Sequence, residues 1–552
     1  MPDTQLPAAV PDMDRRRFLH TALGAGSLGG LAACQPQALP TRDATGWDAG
    51  RVRHLIPAAD ATRIRLKLSL HAPLQGPITL ECQGPGQERQ RVTGNRTDSA
   101  GRCFQMDVIG LQPGTRYQLG LQDAQGRALC DDWPLSTLVA ANARPQKLRI
   151  LTYTCAGGSE LFFHPWQGRL FLPLAVRRAL LARGLSFQPD VLIANGDHVY
   201  WDTRFKSSLA MARSPQARWA AGSLDRALPV MGTANEEVIH KGLGPQIADL
   251  YGTALRSTPA FFVQDDHDYS DNDEADEEVR TFPPDNLMRE VARATQRMYY
   301  PELTTGPDLP AAWQDTLGWS TSFGSLRYGQ LLELQLFDCR GHMRNDQDPA
   351  RRDAQGSFIP PQVEAWMVRR MAQTQARHLV HVPSTPVLWS AGKWGEWYPD
   401  VSGPDGKLRL GPAKPYWSRG WFEQQARLLR ASAQRRGQIP LWVSGDLHAT
   451  AAGQIQAIEG QALDQPVVSV LAGTLGSHGP TFASKFRGQA AQPSCALQAQ
   501  EWVRPIEENG FTLLDVDEDS ISVSLFRWQP GDGVDKIADL QPFWTRRLAR
   551  GG

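Results

Sequence analysis

The chain has 552 residues, 58 basic and 58 acidic side chains, and is 41% hydrophobic and 21% charged. That length allows two or more domains with a sizeable core, and the composition is that of a globular protein. Net neutrality gives no electrostatic case for a nucleic-acid partner, and beyond the N-terminal segment no apolar run is long enough to span a bilayer.

At the N-terminus, "DRRRFLHTALGAGSLGGLAAC" places Arg15 and Arg16 ahead of Phe18 and Leu19, then a mildly apolar stretch ending in Cys34. An arginine pair before a weakly apolar core resembles a twin-arginine export signal, and "LAAC" resembles a lipobox whose Cys carries a lipid. Residues 1–34 are therefore expected to be an export signal, with Cys34 the membrane anchor and the periplasm or cell envelope the destination. This route moves folded proteins, often with metals already loaded, so it hints at a cofactor. Residues 35–50 read as a Pro/Gly/polar tether.

From 51 to 145, short alternating runs such as "RIRLKLSL" and "GPITLEC" are separated by Gly- and Pro-bearing turns, the pattern of an antiparallel β-sandwich. "LQPGTRYQLGL" resembles the tyrosine-corner strand of fibronectin-type domains, with Tyr117 at the corner. Cys82, Cys103 and Cys130 allow at most one bridge, too few for a disulfide scaffold.

From 146 to 552 the character changes. "LRILTYT" (148–154), "DVLIAN" (190–195), "PAFFVQ" (259–264), "LLELQLFD" (331–338), "LWVSG" (441–445) and "VVSVLAG" (467–473) read as buried strands. Helical patterns at 170–184, 361–377 and 421–436 fall between them, which predicts an α/β domain. The tail, 510–528, reads as a closing hairpin.

The chemistry lies at the strand ends: "CAGG" (Cys155), "GDHVYWD" (Asp197, Tyr200), "DDHDYSDND" (Asp266, His267, Asn272), "DCR" (Asp338, Arg340) and "GDLH" (Asp446, His448). Each alone has a bland reading: Asp after Gly is commonly a turn residue, and a block of acids is commonly a solvated face. An EF-hand fails, because neither Asp266 nor Asp271 as position 1 puts Gly at position 6. Five successive strand ends with such residues are another matter, since sites in open α/β sheets form at the carboxyl ends of strands. Thiolate, phenolate and carboxylate suit a trivalent metal such as iron, and Asp and Asn oxygens suit calcium, magnesium or manganese. Asp197 is placed to bridge two metals, Arg340 to hold phosphate oxygens, and His267 to protonate a leaving alcohol, with Asp338 a further candidate catalytic residue. Lys393 in "WSAGKWGEW" reads as a loop residue beside packed tryptophans. His478 in "GTLGSHGP" reads equally well as a pocket residue or a buried structural one.

These motifs, in this order, resemble bacterial alkaline phosphatase D, the PhoD-like branch of the metallophosphoesterases: Cys after the first strand, "GDxxY", "DDHD/E" with a nearby Asn, "DxR" and "GDxH". The likeness extends to the β-sandwich and the export signal, while "CAGG" departs from the usual "SCQ"-like start. The resemblance implies an αββα catalytic fold and hydrolysis of phosphomonoesters or phosphodiesters at alkaline pH. It also implies Fe(3+) with Ca(2+), the second position being open to Mg, Mn or Zn. Cys155, Asp197 and Tyr200 would hold iron. Asp446 and His448 would complete the other side, with Asp266 or Asn272 as a further ligand. A monomer acting on a phosphoester is expected. The alternatives are a phospholipase D-like phosphodiesterase on lipid or polymer, and a catalytically degenerate surface-binding lipoprotein. The segment from 202 to 258 carries no such motif and is expected to shape the substrate pocket.

Overall fold

The computed structural model describes residues 42–43, 45–161, 163–164, 168–200, 222–269, 284–304, 309–310, 319–344, 356–393, 395–411, 414 and 417–551. Arg15, Arg16, Cys34 and Asn272 lie outside them.

Two four-stranded antiparallel sheets come first. Val52–Ala59, Arg63–Leu70, Cys103–Ile109 and Asn95–Arg96 form one; Gln90–Thr93, Thr79–Gln83, Arg116–Gln122 and Trp133–Ser136 form the other. Alternation along each strand puts Leu66, Leu68, Leu80, Leu119 and Trp133 into one shared core. Tyr117 turns its hydroxyl back onto the chain, where it accepts from the Gln112 N–H at 2.7 Å. Cys82, Cys103 and Cys130 are all free thiols.

The larger part is four-layered. Ala260–Val263, Val191–Asn195 and Lys147–Tyr153 run parallel, and Thr512–Asp517, Ser520–Leu525 and Trp544–Ala549 extend this sheet antiparallel to six strands. A second sheet orders Phe323–Tyr328, Leu332–Phe337, His378–Pro383, Leu441–Ser444, Gln461–Ala472, Thr450–Ile458 and Leu497–Ile506, with its second to fifth members parallel. Val191–Asn195 and Ala260–Val263 are almost wholly apolar because both their faces are covered. One face of each sheet meets the other sheet, through Ile150, Ile193 and Phe261 against Leu334, Val380 and Leu441. The other face takes helices. Leu174–Ser186, Gly244–Tyr251 and Asn286–Tyr299 cover the first sheet, and Pro361–Gln373 and Arg419–Ala433 cover the second.

The N-terminal sheets are joined to this body by buried charge. Arg65 and Lys67 both reach Glu302 at 2.8 Å. Neither cation is exposed, so each depends on that carboxylate, with Asp107 also serving Arg65.

At their carboxyl ends the two central sheets are cross-linked. The Asn195 amide donates to the carbonyls of Pro383 (2.9 Å) and Val443 (3.2 Å), and the Thr154 N–H donates to Gly473 O at 2.9 Å. Gly445 is required at this seam, because a Cβ there would collide with the Asn195 carbonyl oxygen. Replacing Asn195 by Ala leaves two buried carbonyls without a donor. A loss of about 2–4 kcal/mol in unfolding free energy is expected, read from denaturant titration.

Candidate active site

The first, second and third strands of the six-stranded sheet, and the Leu332–Phe337 and Leu441–Ser444 strands facing them, all end at this seam. Each delivers one of the five motifs. Cys155, Asp197, Asp446 and His448 have positive φ, of 49°, 58°, 69° and 42°. Only two other described non-glycine residues do, Gln188 and Glu459. Left-handed backbone is strained for such residues and persists where surrounding structure imposes it, commonly at functional sites.

The backbone that imposes it is visible. The Cys155 N–H donates to Gly196 O at 3.1 Å and the Ala156 N–H to Asp197 O at 3.0 Å, locking two strand ends together. Gly196 itself has φ 86°, and a Cβ there would lie 2.7 Å from the Asp265 Cβ. Asp268, fully buried, accepts from the N–H groups of Asp197, His198 and Val199 at 3.0, 2.9 and 3.3 Å. It thereby fixes the turn that aims Asp197.

The side chains converge. Cys155 Sγ donates to Asp197 Oδ2 at 3.3 Å, the Tyr200 hydroxyl donates to the same oxygen at 3.1 Å, and His448 Nε2 lies 3.9 Å from it. His448 Nδ1 bonds the Thr481 carbonyl at 2.8 Å. With Nδ1 donating, Nε2 is left as the basic nitrogen turned toward Asp197, the arrangement that orients metal-binding histidines. Asp197 Oδ1 is buried and accepts no hydrogen bond. Three sets of ligand atoms, each mutually within 4.8 Å, adjoin one another: Cys155, Asp197 and His448; Asp197, Asp266 and His267; and Asp265, Asp266 and Asp446. Asp197 belongs to the first two and Asp266 to the last two. A thiol, carboxylates and an imidazole around an orphaned buried oxygen fit a transition metal, and the carboxylate-rich end fits a harder cation.

Electrostatics agrees. Burial raises the pKa of Asp197, but the neighbouring His267, then His448 and Lys393, outweigh it and hold the carboxylate well below its usual range. Burial, then the charge of Asp197, pushes both the Cys155 thiol and the Tyr200 phenol well above their ordinary values. Burial, opposed by Arg340 and reinforced by Asp266 and Asp446, raises Asp265. Cys155, Tyr200 and Asp265 therefore hold their protons in the absence of further positive charge, while Asp197 does not.

Two expected roles change in the structure. Arg340 is not at the surface of the site. Its side chain is buried against Asp265 (2.8 Å) and the Gly395 carbonyl (2.6 Å), with Asp446 at 3.6 Å, so its guanidinium braces the carboxylates. Asp338 accepts from the N–H groups of Arg340 (2.6 Å) and Gly341 (3.0 Å) and from the Tyr269 hydroxyl (2.5 Å), which makes it the residue that positions Arg340. His267 stays in the site, its ring 4.2 Å from that of Tyr200.

Lys393, expected to be a loop residue, has its ammonium in the site, bonded to Asp446 Oδ1 and 3.3 Å from Asp266 Oδ2. The pocket beside these groups is lined by Asp197, His267, Lys393, Asp446 and His448, with part-exposed Phe486 and Arg487. The Arg487 guanidinium stacks on Phe486 at 5.0 Å. His478 does not line this pocket; it closes the turn that presents Thr481 O to His448. His198 of "GDHVY" is structural: it bonds Val263 O at 2.8 Å, and burial takes its pKa down to about 4. In the segment 202–258, the described Gln246 clasps Tyr200 by both backbone groups, at 2.8 and 3.0 Å. That part braces a site residue from behind.

The four layers form an α/β fold with a group of candidate metal ligands where its two central sheets meet. Residues 175–525 match the PhoD-like phosphatase family, more than half of the chain, and the protein belongs to that family. It is a hydrolase acting on phosphoric esters. Among solved structures, one described as the structure of PhoD is 13% identical, covers 91% of each chain and gives a TM-score of 0.60. Purple acid phosphatase PPD1 from yellow lupin (Lupinus luteus) seeds is 11% identical over 90% of this chain and 74% of its own, with a TM-score of 0.53. These two likenesses show the fold. No curated protein sequence matches significantly.

As metal ligands, Cys155 and Tyr200 would have to give up protons that burial holds on them. Their raised pKa values mean both are protonated at neutral pH without metal, so affinity rises with pH and uptake releases protons. Dialysis between about pH 6 and about pH 9 is expected to show apparent affinity falling toward acid. An affinity flat across that range would contradict the ligand set.

Proposed function

We propose that the protein is an exported, lipid-anchored phosphoester hydrolase with a dinuclear metal centre, in which Asp197 joins the two metal positions. The observation that carries this reading is the pair of adjoining ligand sets that share Asp197, one with Cys155 and His448 and the other with Asp266 and His267. Iron is the assignment for the Cys155, Asp197 and Tyr200 side, calcium or another divalent ion for the side of Asp266 and Asp446, with Asn272 a further candidate ligand. Ions held there supply Lewis acidity and a water made nucleophilic near neutral pH.

The chain's own groups divide the remaining work. Lys393 and Arg487 are the cations lining the pocket, and they bind and orient the phosphate oxygens, the task that sequence reasoning gave to Arg340. His267, close to the ligand atoms of Asp197 and Asp266, is placed to donate a proton to the departing alcohol. Asp268 and Asp338 act at one remove, holding Asp197 and Arg340. No covalent enzyme intermediate is required, since water attacks phosphorus directly. The two N-terminal sheets, residues 51–145, are taken as a fibronectin- or Ig-like accessory domain to the catalytic domain 146–552. The export signal and the Cys34 anchor rest on sequence alone. Among the described residues no helix is long and apolar enough to cross a membrane.

Activity on p-nitrophenyl phosphate against bis-p-nitrophenyl phosphate ranks monoester against diester, and inertness on both after metal loading would contradict the proposal. If Tyr200 ligates ferric iron, the loaded protein has a visible phenolate-to-iron absorption band. Tyr200→Phe is expected to abolish it, and a band retained in that variant would remove Tyr200 from the ligand set. Arg487→Ala is expected to raise KM about tenfold or more with a smaller change in kcat, the signature of lost ground-state phosphate binding.

A further inference from the structure

Lys393 is the pocket cation that sits inside a ligand set rather than beside one. Its ammonium contacts Asp446, from the end of Leu441–Ser444, and Asp266, from the end of Ala260–Val263, so it spans the two sheets. Both carboxylates belong to the set of Asp265, Asp266 and Asp446, whose oxygens lie within 4.8 Å of one another. The third member, Asp265, is already paired with Arg340. The lysine is 5% exposed, so its position is set by these carboxylates and its loop rather than by solvent.

That loop is pinned on both sides of the lysine. Glu396 accepts from the Ser390 hydroxyl (2.7 Å) and the Ala391 N–H (2.6 Å), and pairs with Lys414 at 3.3 Å. The Gly395 carbonyl is held by Arg340. The backbone around Lys393 is thus tied to the same buried network that carries the carboxylates. Its flexible four-carbon stem is the part free to reorient.

We infer that the Lys393 ammonium is a built-in competitor for the second metal position: it neutralises Asp266 and Asp446 when that position lacks an ion, and a cation must displace it to bind. The inference rests on the dinuclear reading above. It makes the two metal positions unequal. The Cys155, Asp197 and His448 position has no lysine or arginine bonded to its ligand atoms among the described contacts, whereas the Asp266 and Asp446 position exchanges one cation for another. A displaced ammonium lies on the pocket side, where it is available to a phosphate oxygen.

The test is stepwise loading of the full metal-free chain, first with ferric or ferrous iron and then with calcium or manganese, followed by equilibrium dialysis and elemental analysis. Wild type is expected to take the second ion at least tenfold more weakly than Lys393→Met, with uptake of the first ion unchanged. Lys393→Arg is expected to keep second-ion binding weak. Equal second-ion affinity in wild type and Lys393→Met, or weaker binding in the variant, overturns the inference. Should Lys393→Met not fold, Lys393→Gln answers the same question, and two ions bound with equal affinity by wild type would overturn it without any variant. Loss of the lysine effect with two ions still bound refutes only the role of Lys393; absence of bound metal in every form refutes the dinuclear reading as well.

Discussion

Asp197, Asp265, Asp266 and Asp446 are buried together at the carboxyl ends of two facing sheets, and the fold has to overcome their mutual repulsion. Like charges at such spacing in a low-dielectric interior are costly unless positive charge is near. The protein supplies some of it, with Arg340 against Asp265 and Lys393 against Asp266 and Asp446. Asp197 is served instead by the thiol of Cys155, the hydroxyl of Tyr200 and two imidazoles. The remaining deficit is what makes this a place for metal ions.

Holding the carboxylates there is the task of the surrounding architecture. The seam between sheets is cross-linked by Asn195 and by the Thr154–Gly473 bond, and four candidate site residues are held in left-handed backbone. Strain of that kind costs of order 1–3 kcal/mol per residue and is sustained only by structure that over-determines the turn. Asp268 is one such determinant, accepting from the N–H groups of Asp197 and His198, and Asp338 does the same for the turn of Arg340 and Gly341, which is not left-handed.

Much of this was legible in the sequence, and the reasons differ by element. The strands ending in Tyr153, Asn195, Val263, Phe337 and Ser444 were readable because strands covered on both faces are rich in apolar residues, even where Arg149, Glu333 or Gln335 interrupts them. The strand His378–Pro383 was not, since "HLVHVP" places two histidines in a run where His381 is buried by stacking on Trp442. The helix Asn286–Tyr299 comes after an acidic stretch and carries four charged side chains, which masked its buried stripe of Met288, Val291 and Met298. In "QDDHDY" the sequence showed an acidic loop and the order of motifs made Asp266 and His267 site residues. It did not show that Asp265 and Asp268 are buried as well, one pairing with Arg340 and the other capping the Asp197 turn. Lys393 was missed because its partners are 127 and 53 residues away, and nothing local distinguishes it from a surface lysine. The structure turns the Arg340 guanidinium toward Asp265 and the Gly395 carbonyl, an orientation that no motif encodes.

The central claim is that Asp197 joins two metal positions under the strand ends, and metal content of Asp197→Asn tests it most directly. The amide keeps the size of the side chain and removes its charge, so the fold is expected to survive. The account predicts that wild type carries a transition metal and hydrolyses phosphoesters, while the folded variant loses bound metal and about a hundredfold or more of activity. A folded Asp197→Asn that retains the full complement of metal would contradict it.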